Sequence, residues 1–184
     1  MALTASKEFE IGGLAPDFTL INTINQKLVT LSENKGENGT AIFFICNHCP
    51  FVIHINKELV AMANEYNKKG ISFIAISSND VENYPQDGPD LMRENAEKLK
   101  YPFPYLYDET QEVAKNYNAA CTPDLYLFDS ELKLTYHGQL DNSRPENDIP
   151  VTGEDFRNAL DALLNKAPNI TPQKPSIGCN IKWK

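Results

Sequence analysis

The sequence predicts an α/β domain, a central mixed β-sheet flanked by helices, and three observations carry that prediction. Two continuous apolar runs, Ala41 to Ile45 and Ile71 to Ile76, suit strands buried on both faces, the usual condition of a parallel sheet. About twenty residues lie between them, enough for a crossover helix. Val52, Ile55, Leu59, Ala63 and Tyr66 recur there at steps of three and four, and Ile53 and Val60 widen the predicted apolar face. The third observation lies downstream, where two alternating segments precede one last amphipathic stretch. At 184 residues, the chain fits one domain over 1–184.

Taken in order, residues 1–12 read as a loose arm. Phe18 to Asn22 and Lys27 to Leu31 read as short strands joined through Thr23 to Gln26, an N-terminal hairpin extension. Gly70 stands where a helix C-terminus favours glycine and closes the β-α-β unit. Asn79 to Asp90 is a polar loop with four acids. A short helix follows to about Lys100, with Pro89 near its first turn. Thr110 to Tyr117 forms another short helix. Leu125 to Asp129 and Leu132 to His137 alternate as an antiparallel hairpin through Ser130 and Glu131. After a polar loop from Gln139 to Val151, Thr152 caps a final helix carrying Phe156, Leu160, Leu163 and Leu164. Residues 167–184 are a proline-rich tail expected to dock on the domain. The order βαβ, connection, ββ, helix matches a thioredoxin-like fold.

Composition narrows the function classes. The 25 acidic residues outweigh 17 basic ones, a formal charge of −8. That field repels nucleic-acid phosphates and anionic lipid surfaces, so neither nucleic acid nor membrane is an expected partner. The first residues lack a signal-peptide pattern, and the longest apolar run, Ala41 to Cys46, is too short to span a bilayer. A cytoplasmic location is expected. Four cysteines in a reducing compartment are more often catalytic or metal-binding than structural.

Cys46-Asn47-His48-Cys49, between a buried strand and a helix, carries the strongest chemical signal. Two cysteines at that spacing can close a disulfide with little backbone movement, and helix-terminal amides stabilise a thiolate there. Cys46, at the strand end, is expected to face solvent and attack a partner's disulfide, with Cys49 resolving the mixed disulfide. His48 favours the thiolate when protonated. Pro50 has no N–H, so the helix either starts irregularly or starts at Pro50 with Cys49 near the cap. Thr122-Pro123 is a candidate cis peptide whose Thr122 backbone could receive an extended substrate as a short β-ladder. Cys121 would then lie near Cys46, as an additional redox group or a buried small hydrophobe. Cys179 could fold back as a third redox partner, a metal ligand or a plain thiol on the tail. His54 and His137 read as histidines satisfied by neighbours, and Asp80, Glu82, Asp87 and Asp90 as a solvated acidic loop without calcium-loop spacing. With no phosphate loop, dinucleotide fingerprint or serine elbow, no cofactor and no metal are predicted.

CNHCPF after a buried strand, CTPDLYLFD before the hairpin and the closing SIGCNIKW resemble the peroxiredoxin-like (AhpC/TSA-type) redoxins of the thioredoxin superfamily. The resemblance runs from about Gly13 to the end. It implies a thioredoxin-like fold and matches Cys46 to the thioredoxin-type attacking cysteine. Against the peroxidatic pattern aligned on Cys49, Ile42 replaces the proline and Cys46 the threonine, while Cys121-Thr122 fills the stretch expected to hold an arginine. The expectation is therefore a thiol–disulfide oxidoreductase using Cys46 and Cys49, acting on a protein or small-molecule disulfide and recycled by a thiol reductant. A thiol peroxidase acting on peroxide and a metal-binding module are the alternatives.

Overall fold

The computed structural model describes residues 3–184. Its centre is β4 (Gly39–Phe44), whose six residues are all buried. Parallel to β4 lies β5 (Ile71–Ser77), with Ile42 opposite Ile74, and antiparallel on its other side lies β8 (Asp124–Phe128), with Ile42 opposite Tyr126. The sheet extends through β6 (Tyr105–Tyr107) to the hairpin of β2 (Thr19–Asn22) and β3 (Leu28–Thr30) on one side, and to β9 (Leu134–His137) on the other. The order is β3-β2-β6-β5-β4-β8-β9.

Alternation along the strands supplies two core layers, because successive side chains leave a strand on opposite faces. Phe43, Phe73, Leu125 and Leu127 point to the layer covered by α2 (Pro50–Tyr66), α3 (Pro89–Leu99) and α5 (Glu154–Leu164). Phe44, Ile74, Tyr126 and Phe128 point to the other layer, with Leu31 of α1 (Leu31–Asn34) and Val113 of α4 (Glu112–Asn116). Among the described residues no helix is long and apolar enough to cross a membrane.

Several expectations are corrected. The arm is not loose: β1 (Leu3–Ala5) pairs with the tail strand β10 (Ile177–Asn180), and Phe9 stacks on Tyr117 and meets Tyr126 edge-on. Ile53 does not widen the buried face of α2, being 57% exposed; Asn56 and Met62 are buried at the two edges of that face instead. Thr152 stands one residue before the cap position of α5, with its Oγ1 accepting the Glu154 amide at 3.3 Å. Gly153 occupies that position at a left-handed φ of 68°, and the Asp141 carboxylate accepts the Thr152 and Gly153 amides. The β8–β9 connection is longer than expected: Leu132, expected to open the second strand, lies in the turn at φ 62°, and the Asp129 amide donates to the Lys133 carbonyl. Strand β6 was not foreseen.

Candidate active site

The site forms where β4 gives way to α2. The Ile45 amide still donates to the Ile76 carbonyl, and Cys46 is the first residue beyond the ladder. Cys49 has the extended backbone of an N-cap (φ −69°, ψ 120°), its carbonyl accepts the Ile53 amide, and Pro50 takes the first helical position. At that position a missing N–H costs nothing and the fixed φ suits the helix, so α2 starts regularly at Pro50.

Neither sulfur faces solvent: Cys46 is 2% exposed and Cys49 0%. Cys46 was expected to be the exposed member of the pair, but the ladder to β5 and the packing of Thr122 cover it. All four cysteines are thiols. Those of Cys46 and Cys49 shift each other's acidity in opposite directions. Beside Cys46 the Cys49 thiol is pulled down to about 5 against its burial, with help from Cys179, Thr122 and the Val52 amide; while it keeps its proton, its S–H donates to the Thr122 carbonyl and to Cys179. The Cys49 neighbour raises the pKa of Cys46, reinforced by burial and by the Asp87 charge. The acidic thiol is thus the one at the helix cap, where the α2 dipole also favours negative charge.

Asp87, in a single 3₁₀ turn between β5 and α3, is fully buried rather than part of a solvated loop. Its carboxylate accepts the Asn47 amide at 2.8 Å, the Asn79 side-chain amide at 2.8 Å and His48 Nδ1 at 2.7 Å. Asn47 in turn donates to the Gln86 carbonyl and accepts from Asn95 and the Tyr105 hydroxyl. Both variable residues of the Cys-x-x-Cys turn are therefore fixed from outside it. His48 Nδ1 is 4.0 Å from Cys46 Sγ, and its ring stacks on Tyr84. Asp80, expected to be solvated, turns its carboxylate onto the Glu82 amide and the Asn83 side chain, whereas Glu82 and Asp90 are exposed.

Thr122-Pro123 is cis and faces the pair. Thr122 Oγ1 lies 3.5 Å from Cys46 Sγ, and its carbonyl oxygen 3.1 Å from Cys49 Sγ. The Thr122 backbone, expected to await a substrate, is paired with the chain itself: β7 (Cys121–Thr122) lies antiparallel to β10, with Thr122 opposite Cys179. Cys179 Sγ comes within 2.9 Å of Cys49 Sγ. Cys121 does not join the cluster. Its thiol turns to the Pro123 and Ser176 carbonyls, and burial raises its pKa. His137 is paired with Asp124 at 2.8 Å, whereas His54 has a buried Nε2 without a protein partner. The Cys46 sulfur, a His48 ring nitrogen and an Asp87 oxygen lie within 4.8 Å of one another, a spacing open to a cation. That carboxylate is already engaged by three donors, so a cation would have to displace the His48 proton.

Sequence reasoning named Cys46, His48, Cys49, Thr122, Pro123 and Cys179 among its site residues, and the fold brings them together. It missed Asp87 as the anchor of the turn, and Asn47, Asn79 and Asn95 with it.

Comparison with solved structures places this architecture. An uncharacterized conserved protein from Geobacillus kaustophilus is 60% identical over 100% of this chain and 97% of its own, with a TM-score of 0.98. A hypothetical protein from Sinorhizobium meliloti is 44% identical over 98% of each chain, with a TM-score of 0.96. The thioredoxin domain of a thiol-disulfide oxidoreductase from Bacteroides vulgatus shares 21% identity over 71% of this chain and 89% of its own, with a TM-score of 0.59, a likeness of thioredoxin-like fold. No curated protein matches. The AhpC/TSA family model matches residues 11–137, the stretch that includes Cys46, Cys49 and the Thr122-Pro123 turn, and the chain belongs to the AhpC/TSA family of thioredoxin-like redoxins.

Proposed function

We propose that the chain is a thiol–disulfide oxidoreductase that cycles Cys46 and Cys49 between dithiol and disulfide. One observation carries this reading: two thiols three residues apart at the start of a 17-residue helix, both facing the cis Thr122-Pro123 turn, with the acidity of Cys49 raised beside Cys46 in support. The roles expected within the pair are exchanged. Cys49, as thiolate, attacks one sulfur of a substrate disulfide; the S–S bond breaks, and the departing sulfur leaves as a thiolate that takes up a proton. Cys46 then loses its proton and attacks Cys49 Sγ, which closes the Cys46–Cys49 disulfide and releases the second substrate thiol. A dissolved thiol reductant returns the pair to the dithiol. His48, held at Nδ1 by Asp87, stands beside Cys46 as the nearest group able to carry positive charge.

The peroxidase alternative draws less support. A peroxidatic thiolate needs donors for the leaving hydroxide. Each arginine of the chain is engaged elsewhere: Arg93 with Asp90, Arg157 with Glu58 and Glu65, and Arg144 with Gln139 and the Asp141 and Ser143 carbonyls.

Equilibration in a glutathione series, with thiol trapping and mass spectrometry, tests the proposal. A reversible Cys46–Cys49 disulfide is expected, and the double variant Cys46→Ser with Cys179→Ser should accumulate glutathione on Cys49. A pair that never closes, or a mixed disulfide that collects on Cys46 in Cys49→Ser at the wild-type rate, overturns the proposal or its assignment of roles respectively.

A further inference from the structure

The edge beside the cis turn, where an extended partner would pair, is filled by the chain's own tail. Cys179 lies opposite Thr122 and Asn180 opposite Cys121, and the Ile181 amide continues the ladder to the Ala120 carbonyl. On its other side β10 is paired with β1, Gly178 lying opposite Thr4. Both ends of the strand are fastened. Ser176 exchanges hydrogen bonds with Ser6 and donates to the Gly138 carbonyl. The Lys182 amide donates to Asn79, while its carbonyl accepts the Asp80 amide and the Gln111 side chain. Gly178 is required by this fit, because a Cβ there would overlap the Thr122 carbonyl. The strand therefore approaches the turn more closely than one with any other residue at that position could, and the approach sets Cys179 Sγ 2.9 Å from Cys49 Sγ. A buried thiol serving only as a small hydrophobe would need no such placement.

We propose that β10 is a built-in exchange partner and that Cys179 is a third redox-active thiol, able to take the disulfide from Cys46 by bonding to Cys49. The proposal rests on the reading of Cys49 as the reactive sulfur of a redox pair. In the step, Cys179 gives up its proton and attacks Cys49 Sγ of the Cys46–Cys49 disulfide. The Cys49–Cys179 bond forms, the Cys46–Cys49 bond breaks, and Cys46 leaves as a thiolate that takes up the proton. The oxidation state of the chain is unchanged, so no further reactant enters. Cys49 is the common member of both disulfides, and the tail leaves the exchange covalently locked in the edge it already fills.

The test uses the full chain in the same glutathione series, with acid quenching, alkylation and mapping of linked peptides. A Cys49–Cys179 peptide is expected in the wild type beside the Cys46–Cys49 one, and as the main oxidised product in Cys46→Ser. Glutathione on Cys49 with Cys179 unlinked in Cys46→Ser overturns the proposal and leaves the parent reading standing. If Cys49 in the wild type is neither linked nor glutathionylated, the parent reading fails as well. Should Cys46→Ser not fold, absence of the Cys49–Cys179 peptide from the wild type at every potential is the overturning result. Gly178→Ala, which pushes the strand off the turn, should lower the Cys49–Cys179 yield at least tenfold while the Cys46–Cys49 disulfide persists. An unchanged yield refutes the role given to the ladder.

Discussion

At the scale of single residues, Asp87 controls more than its place in the sequence suggests. It is buried, accepts three hydrogen bonds from the turn and its surroundings, and places a negative charge near Cys46. Asp87→Asn removes the charge and part of the hydrogen bonding. Cys46 should become more acidic and alkylate several-fold faster at pH 8, as a pH series with peptide mapping would measure, and unfolding by urea should show a loss of about 1–3 kcal/mol. A second prediction concerns Cys49. Its thiol is pulled from an ordinary value of 9.0 to about 5, so alkylation of Cys49 should be half-maximal near pH 5. A depressed folded-state pKa also adds stability to the reduced protein that is complete above about pH 9 and lost as pH falls through 5. An alkylation midpoint above pH 8 contradicts the lowered pKa described for Cys49. The cysteines and the Thr-Pro turn were legible in the sequence because their types and spacing are rare. Asp87 was not, because it stands 40 residues from Asn47 among other acids and only the fold selects it.

At the scale of elements, legibility followed length and period. The strands β4 and β5 and the helix α2 are long enough to show continuous burial or a helical repeat, and each was placed from the sequence within a few residues. Strands β1, β6 and β7 span three, three and two residues, too few to show a period. What makes them strands is the partner each finds, and that is a tertiary fact. The N-terminus of α5 gives a similar lesson. Thr152 has the right chemistry for a cap and its Oγ1 accepts the Glu154 amide at 3.3 Å, yet its own amide and that of Gly153 are met by Asp141, 11 and 12 residues earlier. Asp141→Ala should therefore cost about 1–2 kcal/mol and Thr152→Ala at most about 0.5, as compared by urea unfolding. The reverse ranking would return the cap to Thr152.

At the scale of the whole molecule, the tail stitches the layers together. Cys179 belongs to the core beneath α2 and Ile181, two residues on, to the core on the opposite face. Full burial of an isoleucine contributes about 1.5–3 kcal/mol. A chain ending at Ser176 should thus unfold at a midpoint several degrees lower, and while folded it should alkylate Cys49 at least tenfold faster, since the covering strand is gone. Equal alkylation rates in the two forms would mean that β10 does not guard the site. The placement of Cys179 has one more consequence, for competition with dissolved thiols. A flexible tether holds a group at an effective concentration of about millimolar, and an oriented one far above it. A thiol clamped by its own strand against Cys49 outpaces a dissolved pool of that strength. On that proposal the oxidised protein still draws its two electrons from a dissolved thiol, and β10 adds a second condition: the strand must open before that thiol reaches Cys49.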